Sequence, residues 1–105
     1  MDERRMKGLM GLCVRAGQAV FGADGCQKAV REGKAALLLL DGDIAENARE
    51  KYTALCAGAS VPLRLLPAGL MEASTGRTGM AMAVRPGGFA EQMTRCLEAA
   101  GGEER

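Results

Sequence analysis

At 105 residues, with 48% apolar and 26% charged side chains, the chain can bury a real core and is not a disordered polypeptide. Aromatic residues make up only 3% (Phe21, Tyr52 and Phe89), which argues against stacking bases on several rings. The net charge is +1, so bulk charge alone would hold a nucleic acid weakly. That charge is uneven. Residues 1–40 carry seven basic and four acidic side chains, residues 41–60 two and four, and the rest five and five. An anionic partner is expected to meet the N-terminal third.

Met6, Leu9, Met10, Cys13 and Val14 repeat at helical spacing, which predicts an amphipathic helix over 3–16 ending at Gly17. Arg4, Arg5, Lys7 and Arg15 lie on its other face. A short extended segment, 18–21, leads into a second helix at about 24–32. Asp24 reads as its N-cap, Gln27 completes a capping box, and Gly33 marks its exit. The apolar run 35–40 is too short for a typical helix. Its flanks, Gly33 and Asp41-Gly42, mark a strand buried on both faces.

A third helix is expected from about Ala45 to Ala57, with Ala48, Tyr52, Leu55 and Cys56 inward and Gly58 as its stop. Val61 to Leu66 reads as a strand with Pro62 near its start. A short helix over 70–75, a polar loop over 74–79 and a last strand over 80–84 follow. The closing helix carries Phe89, Met93, Cys96, Leu97 and Ala100 in one stripe. The methionines at 6, 10, 80, 82 and 93 are expected in core stripes. This alternation predicts an α/β protein, a three-layer α/β/α sandwich, as one domain over 1–105 with a frayed tail at about 101–105.

The four cysteines (13, 26, 56 and 96) form no CxxC pair, and the chain has no histidine. Buried free thiols in a reducing cytoplasm are expected, with no zinc site. No signal peptide, membrane span or DNA partner is expected. The chain has no GxGxxG, GxxxxGK or nucleophile elbow, and Asp41 with Asp43 on one turn is too little for a metal site. An enzyme is not expected, and neither is a cofactor.

The stretch Gly22 to Lys34 carries the functional signal. A short helix with small residues at its start can bring free amides and a positive dipole end close to a phosphate or a base edge. Lys28, Arg31 and Lys34 add charge nearby. On the residues alone, a solvated surface helix joined to a core strand is the preferred reading.

Gly22-Ala23-Asp24-Gly25-Cys26-Gln27-Lys28-Ala29, with the element order and the opening Gly8-Leu9-Met10-Gly11-Leu12 and Arg15-Ala16-Gly17, resembles the L7Ae family of ribosomal proteins. The likeness runs from about Met6 to Leu97 and is nearest to the small stand-alone bacterial members. It implies a four-stranded mixed sheet between helical layers and binding of kink-turn RNA. Gly22 and Lys28 match the family motif. In relatives the glycine lets the backbone approach RNA and the lysine reaches a guanine of the sheared G·A pairs. Asp24 stands in place of Asn, and Gly25 in place of Glu.

A second family contact falls on Leu66, Pro67, Ala68 and Gly69, after the third strand, where relatives set an apolar residue against a flipped-out nucleotide. The turn Leu40 to Ile44 matches the family's acidic turn in kind. The resemblance therefore implies an RNA-binding set of Gly22, Ala23, Asp24, Gly25, Gln27, Lys28, Arg31, Lys34 and Leu66–Gly69. The implied partner is structured, kink-turn-like RNA, ribosomal RNA included, bound by a monomer. A protein–protein module on the same fold is the alternative.

Overall fold

Apolar residues at helical and strand periods alternate along the chain, and each run forms its own element. The order is α1 (Glu3–Arg15), β1 (Ala19–Phe21), α2 (Ala23–Arg31), β2 (Leu37–Asp41), α3 (Glu46–Ala59), β3 (Leu63–Leu66), α4 (Leu70–Thr75), β4 (Ala81–Val84) and α5 (Gly88–Glu103). The computed structural model describes residues 1–77 and 79–103, the side chains of 99–103 excepted. The strands form one mixed sheet in the order β1-β4-β2-β3. β4 runs antiparallel to both β1 and β2, while β3 is parallel to β2.

The sheet sits between two helical layers, as expected. Leu37, Leu39, Met82 and Val84 share a core with residues of α1, α4 and α5. Leu38, Leu40, Ala81 and Ala83 share the other with α2 and α3. Successive β2 leucines thus enter opposite cores, so the uninterrupted apolar run needs no polar partner face. All four cysteines are free and buried. Burial pushes the Cys13 and Cys26 thiols up to about 11 and raises Cys56 too.

Several boundaries differ from the sequence reading. Helix α2 starts one residue earlier, at Ala23, and Gly22 is its N-cap, with no side-chain capping bond. Asp24 therefore lies inside the first turn and does not head a capping box. Helix α3 runs through Gly58 and stops at Ser60, which takes the left-handed conformation (φ 58°). A following Val61-Pro62 disfavours further helix, so proline and not glycine sets the end. The expected tail is helical as far as Glu103. Residues 104–105 and the Ala100 side chain lie outside the described residues.

Strand directions decide where the loops gather. The carboxyl ends of β1, β2 and β3 and the amino end of β4 point the same way: Phe21 pairs with Met82, Leu40 with Ala81, and Asp41 with Leu66. Gly22, the 41–44 turn, the 66–69 loop and Met80 therefore meet at one end of the sheet.

Candidate nucleic-acid interface

Helix α2 opens this end of the sheet. Gly22, at φ 89° and ψ 152°, turns the chain from β1 into the helix in a conformation that a side chain would strain. The first ladder bond runs from the Cys26 N–H to the Gly22 carbonyl (2.9 Å), so the amides of Ala23, Asp24 and Gly25 have no intrahelical partner. Gly22 and Ala23 line a cavity of about 290 Å³ together with Ile44, Ala45 and Met80. The walls are apolar, and the helix supplies the free donors.

Gly25 packs against β1. A Cβ there would lie 2.9 Å from Val20 Cγ1, so the residue that lacks the family's Glu also lets α2 settle on the strand. The Cys26 thiol donates to the Val20 carbonyl (3.3 Å) and ties the same two elements. Along α2, Gln27 and Arg31 turn toward α3, and the Arg31 guanidinium donates to Gln27 Oε1 (3.4 Å). Lys28 turns the other way, toward β1. Lys34 lies past the C-terminal end of α2 and pairs with Glu32 (3.3 Å). At 1.5 Å per residue, the nine residues of α2 set Lys34 about 13 Å or more from Gly22. The basic residues of the expected set are thus spread along the helix and do not cluster at its start.

The second loop is held by a buried acid. Asp41, 4% exposed, accepts from the Asp43 N–H through Oδ1 (2.8 Å) and from the Gly69 N–H through Oδ2 (3.1 Å). One carboxylate therefore ties the turn after β2 to the loop after β3. Gly42 completes the join: a Cβ would sit 2.8 Å from the Leu66 carbonyl and 3.2 Å from the Ala68 nitrogen. Leu66 is only 2% exposed and belongs to the core with α1 and α4, so its side chain is not available to a nucleotide. Pro67, Ala68 and Gly69 are exposed and line an open groove of about 530 Å³ with Glu3, Arg4 and Lys7 of α1. Three strand spacings separate the ends of β1 and β3, so this loop stands about 14 Å from Gly22.

Two further residues reach this end. The Arg77 guanidinium lies over the Phe21 ring, 4.9 Å from its centroid, beside Gly22. Met80, expected in a core stripe, is 47% exposed. Its alternation with Met82 and Val84 suggests a core position, but β4 begins at Ala81 and Met80 lies beyond the last strand pair. A methionine next to a glycine-rich loop was the only sequence signal for it.

A family model described as the Ribosomal protein L7Ae/L30e/S12e/Gadd45 family matches residues 4–68, more than half of the chain. The chain belongs to this family. The match covers α1 through β3, so it includes α2 and the 66–68 part of the second loop. Membership in a ribosomal protein family agrees with the reading of a non-enzymatic protein. No curated protein matches the chain.

Among solved structures, a protein with unknown function from Bacillus halodurans C is similar at TM-score 0.84 and 22% identity, over 90% of this chain and 97% of that one. A Giardia lamblia 15.5kD RNA binding protein is similar at TM-score 0.73 and 14% identity, over 94% and 90%. The Thermoplasma acidophilum Pelota protein is similar at TM-score 0.62 and 14% identity, over 79% of this chain but 28% of its own. At these identities the likenesses establish the shared fold. Among the described residues no three His, Cys, Asp or Glu side chains converge as a metal site, and no helix is long and apolar enough to cross a membrane.

Proposed function

We infer that this protein binds structured RNA of the kink-turn type through the end of the sheet that carries Gly22. The observation that carries the reading is the uncapped start of α2. Three amides without an intrahelical partner open the helix, and Gly22 and Ala23 at its start line an apolar cavity at the end where the 66–69 loop and Met80 also gather. In this reading the first turn of α2 enters beside the sheared G·A pairs, and Lys28 reaches a guanine edge. Arg31 holds a phosphate, while Pro67 and Ala68 meet the flipped-out nucleotide. The family match and the RNA-binding Giardia neighbour support an RNA partner. Ribosome association in the cytoplasm belongs to the same proposal, because the matched family is one of ribosomal proteins.

The test is a titration of the protein against one kink-turn duplex and one plain duplex of equal length, over a series of salt concentrations. Tighter binding to the kink-turn, weakened by Lys28→Ala, is the expected result. Equal binding to both duplexes would overturn the reading in favour of a protein–protein module.

A further inference from the structure

A second cleft runs beside α2, on the side that faces β1. It measures about 210 Å³, with Val20 and Ala29 in its floor and Lys28, Lys34, Arg85 and Glu32 at its rim. Arg85 follows β4 directly, and its N–H donates to the Gln18 carbonyl (2.9 Å), so its backbone is fixed against the start of β1. Three cations thus border the cleft against one carboxylate. Glu32 is held by Lys34 at 3.3 Å, but both side chains are exposed, and such pairs are weak and readily exchanged. Lys28 borders this cleft and also belongs to the α2 surface described above, so the two regions are continuous.

We propose that this cleft holds the phosphodiester backbone of the RNA as it runs from the start of α2 alongside the helix toward the opposite end of the sheet, with Arg85, beyond the carboxyl end of β4, as its main anchor. The inference rests on the proposed RNA-binding function and extends it. A free phosphate needs donors that converge on one point. Here the cations come from three places, Lys28 on α2, Lys34 past its end and Arg85 after β4, which suits successive phosphates of one strand. Arg85 presents a planar fork that can grip one phosphate with two parallel bonds, while Lys34 acts as a point charge. Glu32 lowers the affinity and limits non-specific binding.

The experiment compares parent protein, Arg85→Ala, Arg85→Lys, Glu32→Gln and Arg95→Ala on a synthetic kink-turn RNA with both stems intact. Dissociation constants are read over a salt series, and thermal melting checks the fold of each variant. Arg95 is exposed on α5, in the opposite layer, so its loss removes the same charge away from the cleft. Arg85→Ala should weaken binding roughly three- to tenfold and lower the salt slope by about one. Arg85→Lys should keep the slope and lose part of the affinity. Glu32→Gln should tighten binding, which a merely structural role would not produce. Kink-turn binding by the parent with no change in Arg85→Ala, or an equal loss in Arg95→Ala, would overturn the inference and leave the proposed function standing. A parent that does not prefer the kink-turn would overturn both.

Discussion

Asp24 and Gly25 both depart from the family pattern, and the structure separates their consequences. Asp24 is exposed in the first turn of α2, where its carboxylate suits the helix dipole yet offers RNA only acceptors. An amide at that position both donates and accepts. Asp24→Asn alone should therefore tighten kink-turn binding by about 1–3 kcal/mol, the scale of one good base contact, and a titration of parent against variant reads it directly. Gly25 cannot be restored so simply. Any side chain there meets the stiff, branched Val20 at 2.9 Å. Gly25→Ala should cost about 1–3 kcal/mol of stability, and most of that cost should vanish in a Val20→Ala background. Urea midpoints for the four members of the cycle would decide it, and additive effects would refute the packing argument. The sequence displayed both substitutions but not this constraint, because only the β1 register says which side chain α2 must cover.

At the scale of elements, the periodic signals were legible and the punctuation was not. The run 35–40 carried a buried strand, and its alternation into two cores follows from strand geometry alone. By contrast, residue type points to Asp24 and Gly58 as cap and stop, whereas Gly22 and Ser60 fill those roles. Local preferences at helix ends are small, and the chain's entry from β1 and exit toward Pro62 outweigh them. Asp41 was legible only as part of an acidic turn. Its role as a clamp depends on a partner 28 residues away, Gly69. Asp41→Asn tests that role. An amide keeps one acceptor oxygen but turns its N–H₂ toward a backbone donor, so one of the two bonds must fail. The expected cost is about 1–3 kcal/mol in a denaturation experiment, with weaker RNA binding as the 66–69 loop loosens. Unchanged stability would mean that the turn and the loop hold together without the carboxylate.

At the scale of the whole molecule, one sheet divides the work. Its two faces carry stability, and one of its ends carries the candidate interface. The thiols report on the faces. Cys13 and Cys26 have their pKa values raised from an ordinary 9.0 to about 11 by burial, one in each core. The folded state therefore holds these protons more tightly than the unfolded chain, and stability should be full below pH 9 and fall between about pH 9 and pH 11. Melting temperatures across that range, set against a Cys13→Ala and Cys26→Ala double variant with a flatter profile, check the sign. The end of the sheet has its own reporter in Met80. Met6, Met10, Met71, Met82 and Met93 are fully buried, and Met80 is 47% exposed in the cavity wall beside Gly22 and Ala23. Oxidation to the sulfoxide follows exposure, so dilute peroxide should modify Met80 well before those five. Free methionine added to the same sample, which has no place on the protein surface, serves as an internal control. A kink-turn RNA seated on the start of α2 covers that cavity, so it should slow oxidation at Met80 severalfold and leave the free methionine unchanged. Mass spectrometry on free and RNA-saturated protein measures both rates in one sample. If saturating RNA slows both methionines equally or neither, the RNA does not sit at this end of the sheet.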